Sequence, residues 1–304
     1  MIPRKGWPER EDLNFKLLFR DCKMLIVEAE WLLSKYSCSG WHDSIVILDG
    51  SWYLPNQKRD PLKEHMECRI PNALFFDIDS VCDNNSNLPH TIPNVNQFEK
   101  SMNELGLKNT NHIVIYSKDG IATSPRVWWL LKIFGHQKIS ILNGGLKAWI
   151  DIEGQTEKGQ YENIPASNFK ANYNNNFFCT TEEVKASMNS NNSQIIDARS
   201  QGRFNGTEPE PRKNLQSGHI PGSKNLPYQL LLDEKGRLLE INQISEILSK
   251  AGIDTDNPII STCGSGVSAC VLALALEILG KNNWKIYDGS WTEWGRRRDT
   301  PIET

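Results

Sequence analysis

The sequence predicts an α/β protein built from two copies of one domain, each a parallel sheet flanked by helices. Landmarks in the first half of the chain recur in the second half in the same order, at a spacing of 145 to 150 residues. Within each half, short apolar strands alternate with longer helical segments, which is typical of a parallel sheet covered by helices. The length of 304 residues also fits two domains.

The repeat rests on four pairs of matching segments. They are a strand ending in Asp (Val46–Asp49 and Ile195–Asp197), an Ile-Pro turn (Arg69–Ala73 and His219–Ser223), a strand with a loop and an apolar helix (Ile113–Gly135 and Ile259–Gly280), and a Gly-containing segment ending in Trp (Leu142–Trp149 and Tyr287–Trp294). Four landmarks in one order at one spacing imply two copies of the same fold.

The predicted boundaries follow the composition along the chain. Residues 1–24 mix acids with bases and are predicted to form an N-terminal extension, followed by a first domain over residues 25–152. Residues 153–176 are rich in Gly, Asn, Gln and Lys without periodicity, which predicts a linker. Residues 177–304 then form the second domain.

Charge and cysteine use exclude several classes of protein. The 34 Lys and Arg nearly balance the 37 Asp and Glu, which argues against a nucleic-acid or membrane-surface binder. No apolar run is long enough to cross a bilayer. The seven cysteines include no Cys-x-x-Cys pair, which indicates free thiols in a reducing compartment. Because the chain starts without an apolar signal core, we expect a cytoplasmic location, with a mitochondrial pool left open.

The most informative segment is the loop that begins at Cys263. A strand delivers this cysteine, Gly264 and Gly266 follow, and a nearly all-apolar helix comes next. Glycines let the backbone curl so that several N–H groups point at one spot, and such a nest at a helix N-terminus stabilises an anion. The pattern therefore predicts a nucleophilic Cys263 thiolate. Cys270, on the helix, is interpreted as a packing residue.

The residue pattern disfavours three other interpretations of Cys263. It could be a buried, inert thiol beside a Gly turn, which is the usual state of an isolated cysteine. A phosphatase of the tyrosine-phosphatase type needs an Arg six positions after the Cys, and Ala269 stands there. A cysteine protease needs a His base, for which His219 or a more distant residue is the candidate.

Several motifs resemble the tandem-rhodanese sulfurtransferases, and among them the 3-mercaptopyruvate sulfurtransferase branch. The motifs lie in segments Asp49–Pro55, Ser124–Leu130, Gly202–Arg212, Ser217–Gly222, Cys263–Cys270 and Tyr287–Trp294. The resemblance implies two rhodanese-like domains, of which the second is catalytic. The matching loop of the first domain, Ser117–Thr123, has no cysteine, as the resemblance implies.

The resemblance also implies how a donor binds. Thiosulfate-preferring members carry Arg-Lys after the catalytic cysteine, whereas Gly264 and Ser265 stand here, as in the mercaptopyruvate branch. Arg203 and Arg212 match the substrate-binding arginines of the family, and an Arg fork suits a carboxylate. The loop residues Gly264, Gly266, Val267 and Ser268 are expected to contact the donor.

The family further implies an Asp–His–Ser relay beside the loop. By position, Asp60 and Ser265 match the Asp and the Ser, but Arg69 stands where the alignment expects the His. Arg does not titrate, so it could only raise the local positive field or pair with the donor carboxylate. His65 is a candidate substitute. His219 is expected to be an interior hydrogen-bonding group, and Gly289, Trp291 and Trp294 to pack the sheet end and the domain interface.

The sequence-based hypothesis is therefore transfer of sulfur from 3-mercaptopyruvate, through a Cys263 persulfide, to thioredoxin, a small thiol or cyanide, with release of pyruvate. It implies no metal, no organic cofactor, no nucleic acid and no membrane partner. The alternatives are a thiosulfate sulfurtransferase and, because of Arg69, a catalytically inactive rhodanese-like binding module.

Overall fold

A computed structural model describes residues 25–36, 44–160, 165–190 and 192–304. Within these ranges it contains two five-stranded sheets, one in each half of the chain, and every pair of neighbouring strands is parallel. The predicted fold class is confirmed. The predicted extension, residues 1–24, lies outside the described residues.

The two sheets have the same strand order. The strands of the first sheet are β1 (Ile26–Val27), β2 (Ile45–Asp49), β3 (Leu74–Phe75), β4 (His112–Tyr116) and β5 (Ile139–Leu142), in the order β1-β5-β4-β2-β3. Those of the second are β6 (Phe178–Cys179), β7 (Gln194–Asp197), β8 (Lys224–Asn225), β9 (Ile259–Thr262) and β10 (Trp284–Tyr287), in the order β6-β10-β9-β7-β8. The central strands are buried Ile/Val-rich runs, as expected for a sheet covered on both faces.

Helices cover both sheets. They are α1 (Ala29–Tyr36), α2 (Pro61–Glu67), α3 (Val95–Glu104), α4 (Ser124–Ile133), α5 (Gly145–Asp151), α6 (Thr181–Ser190), α7 (Gln201–Phe204), α8 (Ile241–Lys250), α9 (Ala269–Ile278) and α10 (Ser290–Trp294), with short 3₁₀ turns at Pro55–Gln57, Asn175–Phe177 and Tyr228–Leu231. The local sequence determines where several helices begin. For example, Asn94 and Gln97 form a reciprocal capping box at the start of α3. Among the described helices, none is long and apolar enough to cross a membrane.

The two domains pack against each other through α4 and α9. Nearly every side chain of both helices is buried, and one shared apolar core runs through the interface. The partly exposed residues of the two helices, Lys132 and Glu277, pair with each other at 2.8 Å. An apolar surface on both sides of each helix explains why the sequence of these two segments shows no polar face.

Each domain also extends a loop across the interface to the residue that follows the last strand of the other domain. In the first domain this loop carries His90 and Ile92, and the Ile92 N–H donates to the Asp288 carboxylate at 2.7 Å. In the second domain the equivalent Leu238 N–H donates to the Asn143 side-chain oxygen at 2.9 Å. The repeat therefore has a reciprocal contact across the domain interface.

The described part of the predicted linker lies against the first domain. Arg69 and Glu157 pair through their main chains, and Phe169 is completely buried. The Asn103 side chain accepts a hydrogen bond from the Phe169 N–H. The described part of this segment is irregular and is packed along a domain surface.

Candidate active site

Cys263 lies directly after β9, at the carboxyl edge of the second sheet. Its N–H donates to the Ser290 hydroxyl at 3.2 Å, and its carbonyl accepts from the Trp291 N–H at 3.0 Å. Only 1% of the residue is exposed, and it lines a cavity of about 580 Å³ between the two domains. The cysteine therefore has a fixed backbone and an enclosed sulfur that faces a cavity large enough for a small donor.

The two glycines of the loop are required by close packing. At Gly266 φ is +75°, and an added Cβ would lie 2.8 Å from the Asp288 carbonyl oxygen. At Gly264 a Cβ would lie 2.9 Å from the Arg203 guanidinium. Within the described chain, the N–H groups of residues 264–268 donate to no other protein group. The loop therefore leaves five main-chain N–H groups without a protein acceptor at the start of α9, and groups of this kind can bind an anion.

Ser265 is hydrogen-bonded to a histidine of the first domain. His90 Nδ1 lies 3.0 Å from the Ser265 hydroxyl, and His90 Nε2 lies 2.7 Å from Asp79 Oδ1. With Nε2–H donating to the carboxylate, Nδ1 is left to accept the serine proton. Trp52 Nε1 also donates to Asp79, at 3.0 Å. The three side chains form an Asp79–His90–Ser265 relay that spans the domain interface.

The electrostatic surroundings keep His90 neutral. Burial lowers the pKa of His90, and the positive charges of Arg126 and Arg212 lower it further, while Asp79 opposes them. The hydrogen bond from His90 outweighs burial and lowers the pKa of Asp79. A neutral imidazole bound to a carboxylate can accept a proton from Ser265.

The sequence-based placement of the relay is corrected at two positions. The Asp60 carboxylate accepts the Lys63 N–H at 3.0 Å and caps α2, so it serves a helix and not the relay. Arg69 is completely buried and donates to Glu157 and to the Gly159 carbonyl, each at 2.5 Å. Arg69 therefore binds the segment after the first domain, and the carboxylate that contacts His90 belongs to Asp79.

The substitute suggested from the sequence, His65, is also placed elsewhere. Its Nδ1 lies 2.8 Å from the buried Asp49 carboxylate inside the first domain. His90 was missed because it lies in an irregular, Asn-rich loop that has no matching motif in the second half. The available signal was a histidine in a loop that follows a sheet edge, where site residues are common.

Arg203 lies against the Cys263 loop, but its charge is shared with an acid. Its Nη2 donates to Glu210 at 2.6 Å, and Arg199 donates to the same carboxylate at 2.7 Å. Arg199 also donates to Asp197 at 2.6 Å. The two arginines and the two acids balance, so this cluster has no net charge.

Arg212, unlike Arg203, does not share its charge with an acid among the described residues. It lies in the cavity wall above the Trp52 ring, 5.8 Å from its centre, and forms no hydrogen bond or ion pair with another described residue. Burial lowers the pKa of Arg212, whereas Cys263 and Asp79 raise it. An arginine keeps its proton under such conditions, so the cavity has one half-buried cation that is free to bind an anion.

The other predicted loop residues divide into two groups. Gly264, Ser265, Val267 and Ser268 line the cavity together with Cys263, whereas Gly266 lies behind them against Asp288. The first domain completes the wall with a set that includes Trp52, Tyr53, Lys118 and Thr123. The cavity is thus shared by both domains.

Cys270 and His219 take interior positions. The Cys270 thiol donates to the Gly266 carbonyl at 3.2 Å, and burial raises its pKa far above that of a free thiol. The His219 ring donates to the Phe204 carbonyl at 2.9 Å. Trp291 and Trp294 are buried and donate to the carbonyls of Gln216 and Pro301. In the described ranges, no group of three His, Cys, Asp or Glu is placed to hold a metal ion.

Comparisons with known proteins place the chain in a family. A family model described as a rhodanese-like domain matches residues 59–152 and 180–297, which together exceed half of the chain. The chain is 39% identical over 278 residues to the 3-mercaptopyruvate sulfurtransferase of Escherichia coli (strain K12), covering 91% of this chain and 97% of that protein. It is 37% identical over 299 residues to a mitochondrial thiosulfate/3-mercaptopyruvate sulfurtransferase of Arabidopsis thaliana, covering 92% and 78%.

A solved structure agrees with these sequences. The crystal structure of SseA from Escherichia coli, titled as a 3-mercaptopyruvate sulfotransferase with the rhodanese fold, matches with a TM-score of 0.80 and 37% identity, covering 88% of this chain and 99% of that one. The resemblance and the enzyme class predicted from the sequence are confirmed. The chain therefore belongs to the rhodanese-like sulfurtransferases, as an enzyme of their 3-mercaptopyruvate branch.

Proposed function

We propose that the chain moves the sulfur of 3-mercaptopyruvate to thioredoxin, a small thiol or cyanide, through a persulfide on Cys263, and releases pyruvate. One observation carries the proposal. A single cavity brings together Cys263, the unpaired guanidinium of Arg212, and Ser265 bonded to a neutral His90. These are a nucleophile, an anion-binding cation and a proton relay, and sulfur transfer from a keto-acid thiol needs all three.

The charge of the cavity favours a donor with one negative charge. The charges of Arg199 and Arg203 are offset by Asp197 and Glu210, and Lys118 pairs with Glu64 at 3.3 Å. The remaining positive charge, on Arg212, equals the single negative charge of the 3-mercaptopyruvate carboxylate, which an arginine binds by two parallel hydrogen bonds. A dianion such as thiosulfate would meet a single unshared side-chain cation for its two negative charges, and this costs binding free energy in a half-buried site.

The first half-reaction forms one sulfur–sulfur bond and breaks one carbon–sulfur bond. The Cys263 thiolate attacks the donor sulfur, and the electron pair of the broken bond forms the enolate of pyruvate. The thiol proton of the donor moves to the methylene carbon through Ser265 and His90, which gives pyruvate and a Cys263 persulfide anion. Protons and charge balance without a further reactant, so the relay only transfers a proton inside the cavity.

The persulfide is held until an acceptor arrives. The free N–H groups of residues 264–268 stabilise the negative outer sulfur, as an oxyanion hole stabilises an oxygen anion. An acceptor thiolate or cyanide then attacks the outer sulfur, and the sulfur–sulfur bond breaks to return the Cys263 thiolate. The second product is the acceptor persulfide or thiocyanate. This two-step displacement involves no metal or organic cofactor.

A donor panel tests the proposal. The protein is mixed with 3-mercaptopyruvate or thiosulfate, and pyruvate, sulfite and the intact mass of the protein are measured, first without and then with thioredoxin. We expect pyruvate release, one added sulfur on Cys263, and a clear preference for 3-mercaptopyruvate. A preference for thiosulfate would overturn the donor assignment, and the absence of both pyruvate and added sulfur would favour the inactive binding module.

We also place the reaction in the cytoplasm, where reduced thioredoxin is an available acceptor and free cysteines remain reduced. The mitochondrial name of the Arabidopsis thaliana relative keeps the second location as the alternative. Cell fractionation with an antibody against the chain distinguishes the two locations.

A further inference from the structure

Arg126 is a completely buried arginine at the domain interface. It lies in the first turn of α4, and its guanidinium is 4.6 Å from the centre of the Trp129 ring. Although burial works against the charge, the ion pair with Asp288 holds the pKa of Arg126 above its ordinary value. An apolar pair of similar volume is often as stable as a buried ion pair, so stability alone does not explain why an arginine lies here. The groups that Arg126 contacts give an explanation.

The guanidinium joins the two halves of the active site. Arg126 Nη1 donates to Asp288 Oδ1 at 2.8 Å and to the Gly266 carbonyl at 3.2 Å. Its Nη2 donates to the His90 carbonyl. One planar group therefore binds the Cys263 loop and the relay histidine at the same time.

Asp288 adds a second attachment for the relay segment. Its Oδ1 accepts from Arg126, and its Oδ2 accepts from the Ile92 N–H at 2.7 Å. The His90 segment is thus held at its own carbonyl and again two residues later. Gly266 packs directly on this pair, because an added Cβ would lie 3.0 Å from Arg126 Nη1.

The other half of the repeat provides an internal comparison. There Asn143 takes the place of Asp288 and accepts the equivalent main-chain N–H, from Leu238, at 2.9 Å. Val271, a buried apolar residue, is the third residue of α9, as Arg126 is the third residue of α4. At the equivalent positions of the half that has no cysteine, the contact between the domains is therefore made without an ion pair. The Arg126–Asp288 ion pair occurs at the contact where His90 is hydrogen-bonded to Ser265.

We propose that Arg126, together with Asp288, is a positioning residue that sets the distance between His90 and Ser265, and so determines how well the enzyme uses a donor that needs proton transfer. The inference rests on the proposed function. Sulfur transfer from 3-mercaptopyruvate moves a proton from sulfur to carbon. Transfer from thiosulfate breaks the sulfur–sulfur bond and releases sulfite, and it moves no proton. Loss of the Arg126–Asp288 pair must therefore slow sulfur transfer from 3-mercaptopyruvate much more than sulfur transfer from thiosulfate.

Three variants test the proposal: R126K, R126M and the charge-balanced R126M/D288N. Circular dichroism and thermal unfolding report whether each variant folds. R126K and the double variant carry the test if R126M fails to fold, because neither leaves a buried charge unpaired. Single-turnover persulfide formation on Cys263 is followed by intact mass with 3-mercaptopyruvate and with thiosulfate. Benzenethiosulfonate, whose sulfinate also leaves without a proton, serves as a second proton-free donor.

The matched control is K132M. Lys132 lies on the same helix and also forms an ion pair across the interface, with Glu277, away from the Cys263 loop. We expect R126M/D288N to lower the rate ratio of 3-mercaptopyruvate to thiosulfate at least tenfold, R126K to restore part of it, and K132M to leave it unchanged. An unchanged ratio in folded R126M/D288N would overturn the positioning role. Failure of the unmodified chain to react with 3-mercaptopyruvate would instead overturn the proposed function.

Discussion

The Nδ1 atom of His90 lies 3.0 Å from the hydroxyl oxygen of Ser265, although the two residues are 175 positions apart in the chain. The histidine belongs to the first domain, and the serine belongs to the second, two residues after Cys263. The first domain has no cysteine in its own loop, yet it supplies the relay to the loop of its neighbour. The cavity that Cys263 lines is therefore formed by both domains, and the packing of α4 on α9 fixes how its two walls face each other.

Replacement of the nucleophile is the first prediction. Cys263→Ser is expected to abolish pyruvate release and persulfide formation, because an alkoxide does not form at neutral pH and no sulfur anion remains. Cys270→Ser, a buried cysteine on the following helix, is the control and is expected to keep its activity within a few-fold. Turnover by a folded Cys263→Ser protein would contradict the assignment.

Removal of the free cation is the second prediction. Arg212→Met is expected to raise the KM for 3-mercaptopyruvate by 10- to 100-fold, since a charge-assisted hydrogen bond contributes about 1.5–3 kcal/mol, while kcat changes little. Lys213→Met changes the net charge equally at an exposed neighbour and serves as the control. Steady-state kinetics separate the two parameters, and an unaltered KM in Arg212→Met would remove Arg212 from the donor site.

The third prediction concerns pH. His90 accepts a proton only when neutral, and its pKa lies below the ordinary histidine value because of burial, Arg126 and Arg212. Turnover of 3-mercaptopyruvate is therefore expected to stay level as the pH falls to about 6.5 and to decline only below it. The decline follows from protonation of His90 at low pH, and the pH profile of kcat/KM measures it.

His90→Gln tests the same group directly. It is expected to lower turnover of 3-mercaptopyruvate by about 10²–10⁴-fold, the usual contribution of a general acid–base group. Thiosulfate transfer, which moves no proton, should change much less and is the internal control. Equal losses on both donors would mean that His90 supports the fold and not the proton transfer.

Arg69 gives the fourth prediction. Arg69→Met removes the hydrogen bonds to Glu157 and to the Gly159 carbonyl and is expected to lower the free energy of unfolding by about 1.5–3 kcal/mol. At a temperature where the variant is folded, its activity should match that of the unmodified chain. Arg69→His should likewise lower the melting temperature without a gain in activity. A higher turnover by Arg69→His would show that position 69 takes part in the proton relay.

Local pattern is the basis of one part of the proposed site. Cys263, Gly264 and Gly266 form a contiguous strand–loop–helix unit, so their residue types at that spacing predict a nucleophile loop without knowledge of distant contacts. The alternation of strands and helices and the regular repeat predict two parallel sheets for the same reason, since both depend on local periodicity.

The relay depends on contacts that local pattern does not contain. Asp60 occupies a position that looks suitable in an alignment, but a helix start uses its carboxylate. His90 lies in a loop without periodicity, and only the docking of the domains brings it to Ser265. A similar argument applies to Arg203 and Arg212. Both match the binding motif, but the position of Glu210 decides which of the two keeps an unshared charge.

The chain by itself thus determined the repeat and the two parallel sheets, and it supports the proposal of a nucleophile loop at Cys263, because each strand, helix and loop is encoded within a few dozen adjacent residues. The tertiary structure decided which histidine contacts Ser265, which arginine of the cavity has no ion-pair partner among the described residues, and that the buried Arg126 joins the two domains beside this cavity. These depend on side chains that are distant in sequence and meet only when the apolar faces of α4 and α9 are buried against each other.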